Sequence, residues 1–397
     1  MAFFSRRESF VGLDIGTASM KLVELTREGK DSVRLTTYAS AKGVNQLVEG
    51  GDGDAVARTA TLLREMLRRS QASSIDIVAA LPSLSVFSAV LTLPEMSERD
   101  IEQAVVFAAR NYVPSPLKDV VLGWTVIEDH EGTVARLPVA ASPPPPTSAA
   151  ASPAASPAGA GETPLPPPEP LPGAPAPRAM QPKTRKTKEV FLTAASKDLV
   201  QRYSAVIERL NLRLVALEIE SFPLSRSLLA GDTQSVLLVD IGDRATSFSI
   251  VDRGYLRLNQ SIDMGGAALT TAITQKLGLS FEEADKRKRG EGLKSPGPAA
   301  EAMKPVLRDT IERAQNLRRL YEQKSKRQLH RVVLIGGGAN LPGLPAFWSE
   351  AASLPVEVGN PWKGIRLPTV LSDHLRVLGP SFAVAVGLAL REFEEKK

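Results

Sequence analysis

Two segments of one pattern stand far apart in this chain. Val11-Gly12-Leu13-Asp14-Ile15-Gly16-Thr17-Ala18-Ser19 lies near the start, and Leu237-Leu238-Val239-Asp240-Ile241-Gly242-Asp243-Arg244-Ala245-Thr246 lies past the middle. Each is an apolar run closing on Asp-Ile-Gly, followed by small or hydroxyl residues and a second apolar run. That order reads as strand, tight turn, strand. The glycine lets the turn approach an anion and aim backbone N–H groups at it. The aspartate at each strand end suits a hydrated Mg2+. One such turn occurs in many hairpins. Two of them, each opening a similar half, point to a duplicated α/β fold that clamps a phosphate chain from both sides.

A third segment fits the same site. Arg331-Val332-Val333-Leu334-Ile335 reads as a buried strand, and Gly336-Gly337-Gly338-Ala339-Asn340 follows it. Leu341-Pro342 is expected to open a helix, with proline in its permitted first turn. A glycine run between strand and helix lets a flat adenine or ribose lie against bare backbone. Taken alone it reads first as a structural turn; beside the two Asp-Ile-Gly turns it reads as nucleotide binding.

The trio resembles the phosphate-1, phosphate-2 and adenosine loops of the actin-like ATPase superfamily, in that order. Within it the chain resembles the PilM family of cytoplasmic type IV pilus assembly proteins, itself similar to the cell-division protein FtsA. Four stretches carry the likeness: Gly12 to Leu25, Leu93-Pro94-Glu95-Met96-Ser97, Leu217 to Leu224, and Phe382 to Leu390. The resemblance implies two ribonuclease-H-like halves with an inserted subdomain 1C and a subdomain 2B. It implies ATP and Mg2+ as ligands. The implied partner is the tail of a PilN-like bitopic inner-membrane protein, with other pilus platform or motor proteins and self-association as further contacts.

On this basis residues 1–83 form the first half. Residues 84–212 form the insertion, interrupted by a Pro/Ala-rich loop over 142–188, and residues 213–234 return to the first half. The second half spans 235–278 and 331–397, and subdomain 2B spans 279–330. Strands are expected at Phe10–Ile15, Met20–Thr26, Val33–Tyr38 and Ile75–Leu81, with a helix over Asp54–Arg69. The second half repeats the order at Val236–Ile241, Thr246–Asp252, Tyr255–Ile262 and a helix from Gly266 to Leu277. Within the insertion, Ser97 reads as an N-cap for a helix to about Asn111. Val120–Ile127, Val134–Val139 and Val190–Thr193 read as strands, and Lys197–Leu210 as a helix. The segment from Ser142 to Pro182 holds half of the chain's 30 prolines. It is too poor in apolar bulk to offset its ordering entropy as a core. A long helix is expected after Pro305.

Composition narrows the function. The chain has 397 residues and no cysteine, which removes disulfides and the thiolate-held iron–sulfur clusters of some actin-like ATPases. His130, His330 and His374 show no ligand spacing. A net charge of +5 invites a nucleic-acid reading, but aromatics are only 5% of residues and none interleaves the basic runs. The stacking platform of single-strand binders is therefore missing, and no nucleic-acid partner is expected. The Lys183–Lys188 and Lys286–Arg289 runs read first as a solvated basic surface and Phe3-Phe4-Arg6-Arg7 as a frayed terminus, with attraction to an anionic membrane surface as the alternative. No signal peptide is read at the start, and the apolar run Phe382–Leu390 is shorter than the ~20 residues that span a bilayer. The expected location is cytoplasmic, peripheral to the inner membrane through protein partners.

The resemblance assigns Asp14 and Asp240 to Mg2+. It assigns Gly16, Thr17, Ala18 and Ser19 to the phosphates from one side, and Gly242, Asp243, Arg244, Ala245 and Thr246 from the other. Gly336, Gly337, Gly338 and Asn340 would face adenosine. An Ala-Glu-x-x-Lys pattern reads here as Ala284-Asp285-Lys286-Arg287-Lys288, which puts Asp285 and Lys288 at ribose and base, with a carboxylate one carbon shorter than usual. Lys21 points to the phosphates or away from them; strand alternation alone leaves both open. Glu220 is the nearest match to a catalytic, water-positioning residue, with Glu218 as rival, and both also fit as charges at a helix N-terminus. The expected activity is firm ATP binding with slow or negligible hydrolysis. The alternatives are a filament-forming or membrane-tethered FtsA-like protein and a small-molecule kinase of the same superfold. The closing Arg391–Lys397 lacks an FtsA-type amphipathic helix, and no kinase acid or base is found in the first half.

Overall fold

The computed structural model describes residues 8–29, 32–42, 47, 54–127, 187–294 and 296–394. The expected strand Val134–Val139, nearly all of the loop over 142–188, and the Phe3–Arg7 start lie outside them. The chain opens with an antiparallel meander of β1 (Ser9–Ile15), β2 (Ser19–Glu28) and β3 (Ser32–Lys42). Helix α1 (Asp54–Ser70) then leads to β4 (Asp76–Leu81), which pairs parallel to β1.

A separate small sheet follows, from β5 (Val86–Pro94), α2 (Glu98–Tyr112), β6 (Val120–Ile127) and β7 (Thr187–Ser196), in the order β5-β7-β6. Ser97 caps α2 as expected, its hydroxyl accepting from the Asp100 N–H. Thr187 and Lys188, expected in the loop, already pair with Pro94 and Leu93 and so open β7. One face of this sheet closes over α2 through Leu91, Ile101, Val105, Val190 and Leu192. Phe191 and Ala195, of alternate parity to Val190 and Leu192, enter the core of the first half.

Helix α3 (Lys197–Glu208) buries Leu199, Tyr203, Val206 and Ile207 in that same first-half core, and β8 (Arg213–Ile219) pairs with β4. Helix α4 (Ser221–Leu229) closes the first half, and the second half runs β9 (Val236–Ile241), β10 (Thr246–Asp252), β11 (Tyr255–Ile262) and α5 (Gly266–Leu277). Next come α6 (Phe281–Glu291), α7 (Pro298–Ser325), β12 (Arg331–Ile335), α8 (Leu344–Ala352) and β13 (Val356–Val358). The chain then gives β14 (Ile365–Arg366) to the first sheet and crosses it with α9 (Ser372–Glu394).

The two large sheets share one plan. Their orders are β14-β3-β2-β1-β4-β8 and β11-β10-β9-β12-β13. In each, a three-stranded meander places its first strand at the centre, where a parallel strand joins it. These are the two ribonuclease-H-like halves. Strands β9, β10 and β11 match the sequence expectation residue for residue.

Three differences have physical causes. Helix α7 begins at Pro298, which takes the permitted first turn, and so contains Pro305. Buried Ala299, Ala300, Ala302 and Met303 hold the turns before that proline on the core. Helix α8 begins at Leu344 rather than Leu341, because Gly343 adopts φ 84° and Gly337–Asn340 forms a short 3-10 turn of its own. The apolar run at the end belongs to a longer helix than expected. Thr369–Glu394 has the length and composition to cross a membrane, yet 61% of its apolar window is buried in the protein, as for a core helix.

Close packing fixes α9. Gly12 faces it between Val11 and Leu13, and a Cβ there would overlap the Ala385 carbonyl. Gly387 lets α4 cross equally closely, since a Cβ would overlap the Pro223 carbonyl. Beneath this crossing lies a buried ion network. Glu218 accepts from Arg226 at 2.9 and 3.0 Å and from Arg391 at 2.9 Å.

Candidate functional site

The Asp-Ile-Gly turns are the same turn made twice. The Gly16 N–H donates to the Ser19 carbonyl at 3.1 Å, and the Gly242 N–H donates to the Ala245 carbonyl at 2.9 Å. Each turn is tight: a Cβ on Gly16 would lie 3.0 Å from Ser19 O, and one on Gly242 would lie 2.9 Å from Ala245 O. Asp14 and Asp240 sit one residue before the ends of β1 and β9.

The turns face one cavity of about 1060 Å³. One wall is Asp14, Gly16, Thr17, Ala18, Ser19 and Lys21, and the opposite wall is Asp240, Gly242, Asp243, Arg244 and Ala245. Gly336, Gly337, Gly338 and Asn340 close a third side, with Asp285 and Lys288 beyond them. Thr246 is the exception among the expected residues. It is buried and its hydroxyl donates to the Met264 carbonyl at 2.6 Å.

The halves differ opposite the aspartates. Lys21 pairs with Asp14 across β1 and β2, whereas Ser247 pairs with Asp240 across β9 and β10. The direction of Lys21, open in the sequence, is into the cleft, with Nζ 3.1 Å from Asp14 Oδ2. Burial lowers its pKa, but the charges of Asp14, Asp240 and Glu220 outweigh that and raise it. Asp240 is pushed up to about 6 by burial and by the Asp14 charge. Burial also pushes Glu220 up, to about 8, aided by Asp240 and Asp14 and opposed by the hydrogen bond from Ser83. The cleft floor thus gathers three carboxylates around one ammonium, which favours an added cation.

The donor set fits Mg2+. Asp14 and Asp240 offer hard oxygens from both halves, and among the described residues no group of three or more acidic, His or Cys side chains is placed to hold a metal alone. An ion carried by phosphates and keeping most of its waters suits such a site.

The two candidate glutamates separate clearly. Glu218 is buried in the ion network below α9 and does not face the cavity. Glu220 lines the cavity, and its side chain makes no cap for α4. Instead its Oε2 accepts the Ser83 backbone N–H at 2.8 Å. Glu220 thus stands at the N-terminus of α4 without a hydrogen-bonded cap, and Glu218 is taken up by Arg226 and Arg391.

The glycine run divides in the same way. Gly336 has φ 80°, and a Cβ would overlap Asp240 Oδ1. A Cβ on Gly338 would overlap the Ile241 side chain, while one on Gly337 meets no atom within 4 Å. Gly336 and Gly338 seat the loop against β9, and of the three Gly337 has room for a side chain. Asn340 lines the cavity and its side-chain amide donates to the Val377 carbonyl at 3.2 Å.

On the far wall Lys288 spends its three protons on Gly266 O at 2.9 Å, Thr270 Oγ1 at 2.7 Å and Asp285 at 2.6 Å. It ties α6 to the start of α5. Burial would raise the Asp285 carboxyl, but hydrogen bonds from Lys288 and Arg289 win and hold it below its ordinary value. Sequence reasoning missed Pro82, Leu84 and Ser85, which line the cavity from the turn after β4, and half-exposed Phe281 at the start of α6. The Phe281 position was readable: Ser280 and Glu283 form a capping box that places it in the first turn.

A family model described as type IV pilus assembly protein PilM matches residues 12–142 and 178–393. The chain belongs to this family. A chain of the solved PilM-PilN type IV pilus biogenesis complex superposes on it with a TM-score of 0.74 at 23% identity, over 98% of this chain and 99% of that one. The fold is accordingly the actin-like one. The cell division protein FtsA of Rhizobium meliloti is 26% identical over 178 residues, 38% of this chain and 39% of that protein. FtsA of Bacillus subtilis is 22% identical over 224 residues, 50% of this chain and 48% of that protein. The chain thus matches at most about half the length of these curated relatives. For a PilM-family chain, the paired turns and the cavity between them are the part of the structure suited to a phosphate-bearing ligand.

Proposed function

We propose that this PilM-family chain binds Mg-ATP across the cleft and acts as a switchable scaffold in pilus assembly rather than as a metabolic enzyme. The observation that carries this reading is the pair of equivalent turns, Gly16–Ser19 and Gly242–Ala245, facing one cavity from two halves. Backbone N–H groups of both turns would hold the phosphates, with Lys21 beside them. Asp14 and Asp240 would orient Mg2+, which supplies charge neutralisation to the phosphate chain. Asp285, Gly337 and Asn340 would border the nucleoside. Glu220 would orient the attacking water, and its engagement by Ser83 supports slow hydrolysis. ATP then mainly sets the angle between the halves.

The inserted subdomain, residues 84–212, is proposed to hold the cytoplasmic tail of a PilN-like inner-membrane protein against the first half, by strand pairing and side-chain pockets. The solved PilM-PilN complex supports that choice of partner. Location in the cytoplasm, peripheral to the inner membrane, follows from such a partner, as do contacts with other platform or motor proteins. Calorimetry with a synthetic PilN-like tail tests this directly. Micromolar or tighter binding is expected, retained in Glu220→Ala. Absence of binding with and without Mg-ATP, together with phosphorylation of a small metabolite at ordinary turnover, would overturn it. The partial likeness to FtsA favours filament formation as a second reading, which ATP-dependent sedimentation of the purified chain would reveal.

A further inference from the structure

The turn Ser83–Ser85 is where the chain leaves the first half and enters the inserted sheet. It follows β4 directly, precedes β5 directly, and packs against β11 of the second half. Pro82, Leu84 and Ser85 face the nucleotide cavity. Ser83 itself turns inward, and its N–H donates to Glu220 Oε2 at 2.8 Å. A contact between residues 137 positions apart therefore joins the entrance of the inserted subdomain to a carboxylate that lines the cleft.

The inserted sheet is also fastened to the second half. The Ser88 hydroxyl on β5 donates to the Asn259 carbonyl on β11 at 3.3 Å, and Arg257 on β11 pairs with Glu189 on β7 at 2.7 Å. Rotation of the second half about the cleft would thus pull on β5 through β11, one step from Ser83. Among the described residues the hydroxyl of Ser221, the residue after Glu220, and that of Tyr203 are buried and have no hydrogen-bond partner.

We propose that the Ser83–Glu220 hydrogen bond couples the nucleotide cleft to the inserted subdomain, with Ser83 as a positioning residue that holds Glu220 according to the placement of β5. The inference rests on the reading of the cleft as a nucleotide site. Nucleotide that reorients the halves shifts the turn and with it β5. By linkage, a partner that fixes β5 changes nucleotide affinity by the same factor.

Substitutions can isolate the bond. Ser83→Pro removes the N–H, and the site accepts proline: Pro82 has ψ 130°, as a residue before proline requires, and Ser83 opens a 3-10 turn. Ser83→Ala keeps the N–H. Glu220→Ala removes the acceptor and serves if Ser83→Pro fails to fold. Full-length protein is titrated with Mg-AMPPNP by calorimetry, and hydrogen exchange of residues 83–94 is followed with and without it. The expected result is a nucleotide-dependent change in exchange across β5 in the wild type and in Ser83→Ala. In Ser83→Pro that response is lost while Mg-AMPPNP affinity stays within about threefold, and Glu220→Ala loses the response as well. An unchanged β5 response in Ser83→Pro or Glu220→Ala, or no response in the wild type that binds nucleotide, overturns the inference alone. Failure of the wild type to bind Mg-AMPPNP overturns the nucleotide reading and the inference with it.

Discussion

Lys21 and Asp14 form a cross-strand ion pair at the floor of the cleft, Nζ to Oδ2 3.1 Å, at a position where the second half carries Ser247 and Asp240. The duplicated halves thus keep both aspartates but only one ammonium. Two roles fit that lysine, a counter-ion to Asp14 alone or a phosphate ligand as well. Lys21→Ala distinguishes them. ATP affinity is expected to fall tenfold or more, about 1.4 kcal/mol, because the phosphates lose a cation and face unopposed carboxylates. Unchanged affinity in calorimetry would leave Lys21 as a structural partner of Asp14.

The raised carboxyls make a pH prediction. Glu220 moves from 4.5 to about 8 and Asp240 from 3.8 to about 6. A carboxyl with a raised folded-state pKa stays protonated in the fold while the unfolded chain releases its proton. Its stabilising contribution is therefore present in full below the unfolded value and lost as pH rises through the folded one. The nucleotide-free protein should melt at progressively lower temperature from about pH 5 to about pH 8. Glu220→Gln should flatten the upper part of that slope, and thermal scans across the range will show whether it does.

Glu218 is predicted to matter for folding rather than for chemistry. Removing it takes from Arg226 and Arg391, each almost fully buried, their shared buried carboxylate and leaves them the more exposed Glu394 and Glu392. Breaking a buried ion pair from one side typically costs about 3–5 kcal/mol. Glu218→Ala should lower the denaturant midpoint accordingly. If its stability stays close to wild type, the network does not hold the α4–α9 crossing together.

Adjacent glycines should behave oppositely. At Gly336 a side chain meets Asp240 and a left-handed φ of 80°, so Gly336→Ala should destabilise the fold and impair nucleotide binding together. At Gly337 the space is open, so Gly337→Ala should fold normally and report only on the ligand. Equal melting temperatures for the two variants would contradict this division.

Much of the fold was legible because local signals were strong. The Asp-Ile-Gly strand ends, the Ser97 cap and the β9–β11 boundaries follow from short patterns of apolar runs, small turn residues and hydroxyl caps. The site was legible in outline for the same reason, since phosphate-loop chemistry sits on consecutive residues. What the sequence withheld is non-local. Strands β5 and β8 went unread, and Glu218 and Glu220 looked alike, two residues apart, until Arg391 and Ser83 from distant segments separated them. The start of α7 was hidden by Pro305, whose cost tertiary burial overrides. The side chosen by Lys21 was settled only by the register of β1 on β2.

The central claim is that one Mg-ATP is held from both halves at once, and Asp240 is its most direct probe. Asp240 lines the cavity at the end of β9, across from the first half's own aspartate. Calorimetric titration of Mg-ATP into the wild type and Asp240→Ala, at matched pH and ionic strength, measures its contribution. The account predicts saturable one-site binding in the wild type and at least a tenfold loss in the variant, about 1.4 kcal/mol. Equal ATP affinity in the two proteins, or no heat from either, would contradict it.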